Sequence, residues 1–225
     1  MEITPIARFH SPFPEKFGIP RQSGLAAGLH GRIVLEPAFR DPSALRGLDG
    51  FSHLWLIWEF SGNKTRNWQP TVRPPRLGGN TRLGVFATRS PFRPNPLGLS
   101  CVRLDRIEWD TPDGPVIHVL GADLMDGTPI YDIKPYIRYA DSHPDARSGF
   151  TDEVAWEPLD ILFPEQTPFE PEELDILRDI LAQDPRPPFH DDPEKTYGMA
   201  FAGYDVRFRV NGQVLTVLEF RKKIE

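Results

Sequence analysis

The stretch FSHLWLIWEF at residues 51–60 carries aromatic or aliphatic side chains on both faces of an extended chain. A run of this length and composition is typical of a strand that is buried on both sides. Working outward from it, shorter apolar runs predict strands at residues 31–35, 82–88, 99–104 and 116–120, and one that ends at Ile133. Residues 1–140 are therefore predicted to be mainly β.

Between two of these strands lies RSPFRPNPLG at residues 89–98. Its three prolines fix the backbone and remove amide donors, which excludes regular structure there. We expect a rigid, ordered loop. Because proline reduces backbone freedom, the Arg89, Arg93 and Asn95 side chains lose less entropy when they bind a ligand.

The composition changes around DSHPD at residues 141–145, which predicts a linker. We accordingly expect one domain over residues 1–142 and a second over residues 143–225. In the second, Pro171 and an apolar stripe of period 3.6 predict a helix over residues 171–183. The second domain is predicted to be a small α+β unit with this one helix and a β-hairpin.

The hairpin is predicted from alternating apolar residues at 204–210 and a second apolar run that ends at residue 220. Asn-Gly between two strands is typical of a two-residue turn. With Asn211 and Gly212 as the loop, Val210 would pair with Gln213, and Phe208 with Leu215.

Composition excludes several classes of protein. The chain has 225 residues, 25 of them proline, and a single cysteine. That much proline argues against a helical bundle, and one cysteine excludes a disulfide framework or a zinc site built from thiolates. The N-terminal residues lack the pattern of a signal peptide. The longest strongly apolar run, residues 54–58, is far too short to cross a bilayer. We expect a cytoplasmic protein that does not bind membranes.

The charge is unevenly distributed around a formal net charge of −6. Residues 64–106, here called the basic block, carry nine basic side chains and one acidic, whereas residues 141–225 carry nine basic and nineteen acidic. Eight of the nine basic residues are arginines, whose planar guanidinium suits phosphate recognition. The block predicts a polyanionic partner such as a nucleic acid. The alternative is that these arginines pair with acids of the C-terminal region.

Common catalytic and cofactor motifs are absent. The chain has no Walker loop, no glycine-rich dinucleotide fingerprint, no histidine spacing typical of a metal site and no hydrolase triad. Polar, proline-restricted segments stand out instead. They lie at residues 16–24, 71–80, 88–98 and 126–136. In the last, Asp132 and Lys134 share one face of a short strand and are flanked by Tyr131 and Tyr136. These segments are either a binding site or stiffened surface loops.

The segment GVFATRSPFRPNPLGLS at residues 84–100 closely resembles the family of tRNA N6-threonylcarbamoyladenosine methyltransferases, called TrmO or YaeB-like and formerly TsaA-like. The resemblance extends in order over nearly the whole chain. It includes KFGIPRQSGL (16–25), RGLDGFSHLWLIWEF (46–60), WQPTVRPPRLGGNTRLG (68–84), DLMDGTPIYDIKPYIRYADS (123–142) and LAQDPRPPF (181–189).

The resemblance implies an N-terminal single-sheeted β-barrel that binds S-adenosylmethionine, a small C-terminal α+β domain, and a homodimer with the cofactor near the subunit interface. A non-Rossmann fold agrees with the missing glycine fingerprint. Carried over by position, the residues expected to contact the cofactor are Pro20, Arg21, Gln22, Ser61, Gly62, Arg89, Leu99, Leu124, Met125, Asp126 and Gly127.

The implied reaction transfers a methyl group to N6 of N6-threonylcarbamoyladenosine, next to the anticodon of a threonine tRNA. A base must accept the proton of this nitrogen. Asp132 and Asp126 are the nearest candidates, and Asp132 is preferred because Asp126 sits in a turn. Lys134, Arg93 and Asn95 are expected to hold the threonyl carboxylate or a phosphate, and Tyr136 to stack on a base.

From the basic block, Arg73, Arg76 and Arg93 are expected to contact RNA, and neither a metal nor DNA is implied. Two other functions remain open from the sequence. The chain could be an S-adenosylmethionine-dependent methyltransferase of another nucleotide or small molecule, or a non-catalytic module that binds the cofactor and RNA.

Overall fold

The computed structural model describes residues 2–63, 67–78, 80–154, 157–187 and 192–223. Lys64, Arg66 and Gly79, which belong to the segments singled out above, lie outside these ranges. Twelve strands are described: β1 (Ala7–His10), β2 (His30–Leu35), β3 (His53–Glu59), β4 (Thr71–Val72), β5 (Leu83–Gly84), β6 (Leu97–Glu108), β7 (Val116–Leu120), β8 (Pro129–Pro135), β9 (Asp160–Leu162), β10 (Tyr197–Phe201), β11 (Tyr204–Asn211) and β12 (Val214–Lys222).

The helices are few and mostly short. They are α1 (Arg138–Asp141), α2 (Phe150–Glu153) and α3 (Pro171–Ala182), with 3₁₀ turns at Pro37–Phe39, Pro42–Leu45, Leu48–Gly50, Pro75–Leu77 and Val85–Ala87. Only α3 exceeds one turn. It begins with Pro171 after a capping box formed by Glu170 and Glu173, and its apolar side buries Leu177, Ile180 and Leu181.

The N-terminal half closes into a six-stranded barrel with the order β1-β2-β7-β6-β3-β8, in which every neighbouring pair is antiparallel. Alternate residues of each strand face the interior. In β3, Leu54, Leu56 and Trp58 point inward, and the residues between them are half-buried on the outer side. The prediction of a mainly β domain with a single-sheeted barrel is confirmed.

The C-terminal half is a four-stranded sheet, β10-β11-β12-β9, that packs against α3. Its core also takes in Phe13, Ala26 and Leu29 from the segment between β1 and β2. A Cβ on Gly18 would lie 2.1 Å from the Met199 sulfur, which shows how closely this segment approaches the sheet. The two sheets are therefore joined through residues 11–29. The domain boundary after residue 142 stays a prediction.

Two predictions of local structure are wrong: the strand over residues 82–88 and the register of the C-terminal hairpin. Residues 82–88 do not form one strand, because β5 ends at Gly84 and a 3₁₀ turn follows. The carbonyl oxygen of Val85 accepts from the Thr88 hydroxyl and amide and from the Arg93 guanidinium, so it is not available to a strand partner. Strand β6, by contrast, is longer than predicted and extends from Leu97 to Glu108.

The C-terminal hairpin exists, but its register differs from the predicted one. Val210 pairs with Leu215 and Phe208 with Val217, and the two-residue loop is Gly212-Gln213, with Gly212 at φ 56°. The Gln213 side-chain amide donates to the carbonyl oxygens of Glu157 and Pro158. The backbone carbonyl oxygen of Gln213 accepts from the Asp160 amide. These bonds hold Gln213 in the turn and anchor the edge strand β9.

Candidate functional site

A cavity of about 480 Å³ opens at one side of the barrel. Its lining comes from chain segments that are distant in sequence: residues 16–22, residues 58–63 after β3, residues 88–99 in the proline loop, and residues 123–128 after β7. Three of the polar segments singled out in the sequence thus meet at one place. The fourth, residues 71–80, does not line the cavity.

The floor of the cavity is the indole of Trp58. Trp58 lies across Gly98 of the neighbouring strand, where a Cβ would be 2.3 Å from the ring. The ring also makes an edge contact with Phe60, with centroids 4.4 Å apart. Its Nε1–H donates to the Ser100 hydroxyl at 2.9 Å. Because Gly98 has no side chain, the indole packs flat against β6 and its orientation is fixed.

The Ser100 hydroxyl donates in turn to the carboxylate of Asp123, at 2.5 Å. This series from Trp58 through Ser100 to Asp123 is here called the floor relay. Asp123 lines the cavity and is half-buried. Burial raises the pKa of the Asp123 carboxyl above its usual value, and the hydrogen bond from Ser100, the charge of Arg89 and the Ser23 amide oppose this shift.

Arg89 enters the cavity from the proline loop, and its guanidinium donates to the Gln22 side-chain oxygen. The Gln22 amide nitrogen donates to the Arg21 carbonyl oxygen at 2.6 Å, and the Arg21 guanidinium donates to the carbonyl oxygen of Asp184 at 3.0 Å. Burial lowers the pKa of the Arg21 guanidinium; Asp184 opposes the shift and the nearby charge of Arg76 adds to it. These bonds connect the proline loop to the end of α3.

The cavity rim contains a second set of polar groups. The Lys16 ammonium donates to the side-chain oxygen of Asn63, and the Tyr131 hydroxyl donates to the Glu59 carboxylate at 2.6 Å. A Cβ on Gly62 would lie 2.5 Å from the Lys16 side chain. The cavity lining therefore includes basic and acidic groups, among them Lys16 and Glu59, which suits a ligand with charges of both signs.

Arg93 lines the cavity and also braces the loop that carries it. Its guanidinium donates to the carbonyl oxygens of Thr88 at 2.7 Å and Val85 at 3.2 Å, and lies over the Phe86 ring, 5.7 Å from its centroid. Phe86 is 73% exposed. This ring and guanidinium form an outward-facing aromatic and cationic surface next to the cavity.

The residues expected to contact the cofactor fall into two groups. Leu124 is buried in the barrel core, and Asp126 and Gly127 lie outside the cavity lining. The Asp126 carboxylate accepts from the Ser11 amide at 3.1 Å and contacts the His10 ring at 3.2 Å, so it does hold the turn. The residues that line the cavity are Pro20, Arg21, Gln22, Ser61, Gly62, Arg89, Leu99 and Met125.

The residues expected to catalyse lie outside the cavity lining: Asp132, Lys134, Asn95 and Tyr136. Asp132 accepts from the Lys134 ammonium at 2.9 Å and from the Ile133 amide at 2.9 Å. The Tyr136 ring packs at 6.0 Å from both His53 and Trp55. Asn95 is exposed in the proline loop.

Strand register explains where Asp132 lies relative to the cavity. Ile57 of β3 pairs with Leu99 on one side and with Asp132 on the other, so these side chains share the outer face of the barrel. In the next row, Trp55 pairs with Cys101 and Lys134. These two rows are here called the outer face. Leu99 also lines the cavity, and Asp132 lies two strand spacings away, roughly 10 Å.

Few of the described residues of the basic block form ion pairs. Arg73 and Arg76 are exposed. Among the residues that the structure describes, the salt bridge made by the block joins Arg106 to its neighbour Asp105, at 2.8 Å, and none reaches a C-terminal acid. The described part of the chain also contains no cluster of three potential metal ligands and no helix long and apolar enough to span a membrane.

Sequence reasoning missed the floor relay and Glu59. The sequence predicts only a buried strand for Trp58 and Glu59, and no role in binding for Ser100 and Asp123. The available signal was the pairing of a large aromatic with Gly98, since a glycine inside a strand marks a close approach. The contact of Ser100 with Asp123 depends on the fold and has no local sequence pattern.

Comparison with known proteins adds to this geometry. Residues 8–142 match the model of the tRNA-methyltransferase O N-terminal domain, and residues 162–223 match that of the TrmO C-terminal domain. The chain is 40% identical over 215 residues to a tRNA (adenine(37)-N6)-methyltransferase of Escherichia coli, covering 91% of each chain. A protein of the same name from Eikenella corrodens is 48% identical over 166 residues, which is 71% of this chain and 91% of that one. The crystal structure of TrmO from Pseudomonas aeruginosa superimposes with a TM-score of 0.77 at 34% identity, covering 98% of both chains.

Proposed function

This chain belongs to the tRNA-methyltransferase O family, and we propose that it methylates N6 of N6-threonylcarbamoyladenosine at position 37 of a threonine tRNA. Family membership makes the chain a methyltransferase that acts on adenine N6 in tRNA. The threonylcarbamoyl group, the isoacceptor, S-adenosylmethionine as the methyl donor and a cytoplasmic location are the finer parts of the proposal. Its main support is the meeting of Arg89, Asp123 and the Trp58 floor in one cavity of a chain that matches both family domains.

The cavity suits S-adenosylmethionine in size and in chemistry. A volume of about 480 Å³ is within the range of small-molecule sites, roughly 300–1,000 Å³. The lining offers apolar surface from Trp58, Leu99 and Met125, and charges of both signs from Arg89 and Asp123. We propose that these residues, with Pro20, Gln22 and Gly62, hold the cofactor. When bound, S-adenosylmethionine supplies the methyl group from its sulfonium centre.

The role of the protein is then to orient the adenine nitrogen and to accept its proton. We assign proton acceptance to Asp132, and recognition of the threonyl carboxylate to Lys134, Arg93 and Asn95. Tyr136, which packs on His53 and Trp55, would present its ring to a base. Asp132 faces Lys134 on the outer face, outside the cavity of its own chain.

In a homodimer, Asp132 of one copy could lie next to the cavity of the other, although it lies outside the cavity of its own chain. The outer face borders the cavity at Leu99, which is 56% exposed, and continues over the half-buried Ile57, Trp55 and Cys101. A partly apolar face on a barrel wall is typical of a subunit contact. We propose a homodimer through this face, in which Asp132 of one copy approaches the cavity of the other.

Binding of tRNA is assigned to the basic block, with Arg73, Arg76 and Arg93 contacting phosphates. Because such contacts release counterions, affinity should fall steeply as salt rises. Arg73→Ala or Arg76→Ala should each reduce the slope of log K against log salt by about 1. The matched control is Arg209→Ala, on the far strand β11, which should leave the slope unchanged.

The proposal is tested by mass spectrometry of tRNA nucleosides from cells that lack the gene. Methylated threonylcarbamoyladenosine should disappear, and the unmethylated form should accumulate in threonine tRNA. Reintroducing the gene should restore the methylated nucleoside. A deletion strain with an unchanged nucleoside profile would contradict the proposed substrate.

A further inference from the structure

Asp123 is a half-buried carboxylate at the floor of the cavity. It accepts hydrogen bonds from the Ser100 hydroxyl and the Ser23 amide, but forms no salt bridge with any residue that the structure describes. Its lost hydration is therefore only partly replaced, which destabilises the folded protein unless another group compensates. A carboxylate held in this way at the floor of a cavity is characteristic of a binding site.

The surroundings of Asp123 define the charge of its ligand. Arg89, whose positive charge acts on Asp123, lines the same cavity, and Gln22 holds its guanidinium. A cavity that presents a carboxylate and a guanidinium to the same space matches a ligand with a cation and an anion close together. An α-amino acid has this arrangement, because its ammonium and carboxylate are bonded to one carbon.

The hydrogen-bonding capacity of Asp123 distinguishes between two cations of the proposed cofactor. An ammonium group offers three N–H donors, whereas a sulfonium offers none. An ionised carboxylate accepts about four hydrogen bonds, so the bonds from Ser100 and Ser23 leave lone pairs available. The floor relay fixes this carboxylate from behind, through Ser100 and the Trp58 indole.

We propose that Asp123 binds the α-ammonium group of S-adenosylmethionine while Arg89 binds the α-carboxylate of the same ligand. Ser100 and Trp58 are positioning residues, since they contact Asp123 or each other and orient it. The inference rests on the proposed function, because it assumes that the cofactor occupies this cavity. It adds which end of the ligand Asp123 recognises and through which atoms.

The experiment is calorimetric titration of the full chain with S-adenosylhomocysteine and with methylthioadenosine. Neither ligand carries a charge at sulfur, and methylthioadenosine lacks the amino-acid end. In Asp123→Asn the dissociation constant of S-adenosylhomocysteine should rise about tenfold or more, as for the loss of a charged hydrogen bond. That of methylthioadenosine should change less than about twofold, which also shows that the variant is folded. Asp141→Asn is the matched control, because Asp141 is likewise a carboxylate that accepts two hydrogen bonds, from the Trp55 indole and the Ile137 amide, but lies outside the cavity.

A second arm changes the ligand and leaves the protein intact. Wild-type protein should bind a desamino analogue of S-adenosylhomocysteine about tenfold more weakly than the parent ligand, and Asp123→Asn should not distinguish the two. Equal weakening of both adenosyl ligands in Asp123→Asn, or equal affinity of wild type for parent and desamino ligand, would overturn the inference. If wild type binds none of these ligands, the proposed cofactor fails instead.

Discussion

The floor of the cavity and the outer face of the barrel are built from the same two strands, β3 and β6. Leu56 and Trp58 point inward with Gly98 and Ser100, whereas Ile57 points outward with Leu99. The inward residues are buried and held by specific hydrogen bonds; the outward ones are half-buried or exposed. Because side chains alternate along a strand, one pair of strands can hold a cofactor on one side and contact a partner on the other.

This comparison separates two kinds of effect. Changes at the floor should alter ligand binding within one chain, while changes at the outer face should alter assembly and turnover. The largest expected effect is on turnover, at Asp132. Asp132→Asn keeps the side-chain shape but cannot accept the proton, so the single-turnover rate should fall about 100-fold or more. Calorimetry should give an unchanged affinity for S-adenosylhomocysteine.

Full activity in Asp132→Asn would remove Asp132 as the base. The control for this variant is Asp105→Asn, which alters a carboxylate of β6 that pairs with its neighbour Arg106 and lies outside the cavity lining. Its rate should match that of the wild type.

At the floor, Gly98→Val should weaken cofactor binding about tenfold or more, because the new side chain would occupy the space of the Trp58 indole. Overpacking of this kind also destabilises the fold by about 1–3 kcal/mol. Calorimetry and thermal unfolding measure the two effects. Gly84→Val is the comparison, since a Cβ at Gly84 has no neighbour within 4 Å. Equal affinity in both variants would show that the indole position does not matter.

On the outer face, Ile57→Glu introduces a charge into the proposed subunit contact. Light scattering should change from twice the chain mass to a single chain of 25.6 kDa, and turnover should fall with it. Leu218→Glu, at an exposed apolar position of β12, should remain dimeric. A wild-type protein that is already monomeric at working concentration would contradict the homodimer.

The smallest expected effect concerns stability and pH. The pKa of Asp123 is raised in the folded protein, so folding is favoured when this group is protonated and that stability is lost as pH rises through the folded-state pKa. Because asparagine does not ionise, Asp123→Asn should not lose stability in this way as pH rises. For the ligand-free protein, its gain in Tm over wild type should be a few degrees at about pH 7.5 and nearly absent near pH 4, close to the unfolded-state pKa of about 3.9. A gain that is independent of pH would contradict the sign of the shift.

Much of the fold could be predicted from local patterns. The apolar runs of β3 and β7, the prolines of the loop at residues 89–98, and the stripe of α3 are all local. The prediction that these strands close into a barrel rests on the family resemblance. The hairpin register could not be predicted, because it depends on bonds from Gln213 to Glu157 and Pro158, more than fifty residues away.

The site residues likewise divide into those that local sequence singles out and those whose role depends on the fold. Arg89 and Gln22 lie in polar, proline-restricted segments that single them out in the sequence. Asp123 does not, because its significance depends on Ser100 of β6, which donates to it, and on Trp58 of β3, which bonds to Ser100, and these meet only after the barrel has closed. The separation of Asp132 from the cavity is equally a property of strand register.

The central claim, that the chain methylates threonylcarbamoyladenosine in tRNA, is tested most directly by single-turnover methylation of two matched threonine tRNAs. One carries the threonylcarbamoyl group and the other carries unmodified adenosine. We predict similar affinity for both, since phosphate contacts dominate binding, but rapid methylation only of the modified tRNA, because the other offers no threonyl carboxylate for Lys134 and Arg93 to hold. Equal rates on the two tRNAs would contradict the claim.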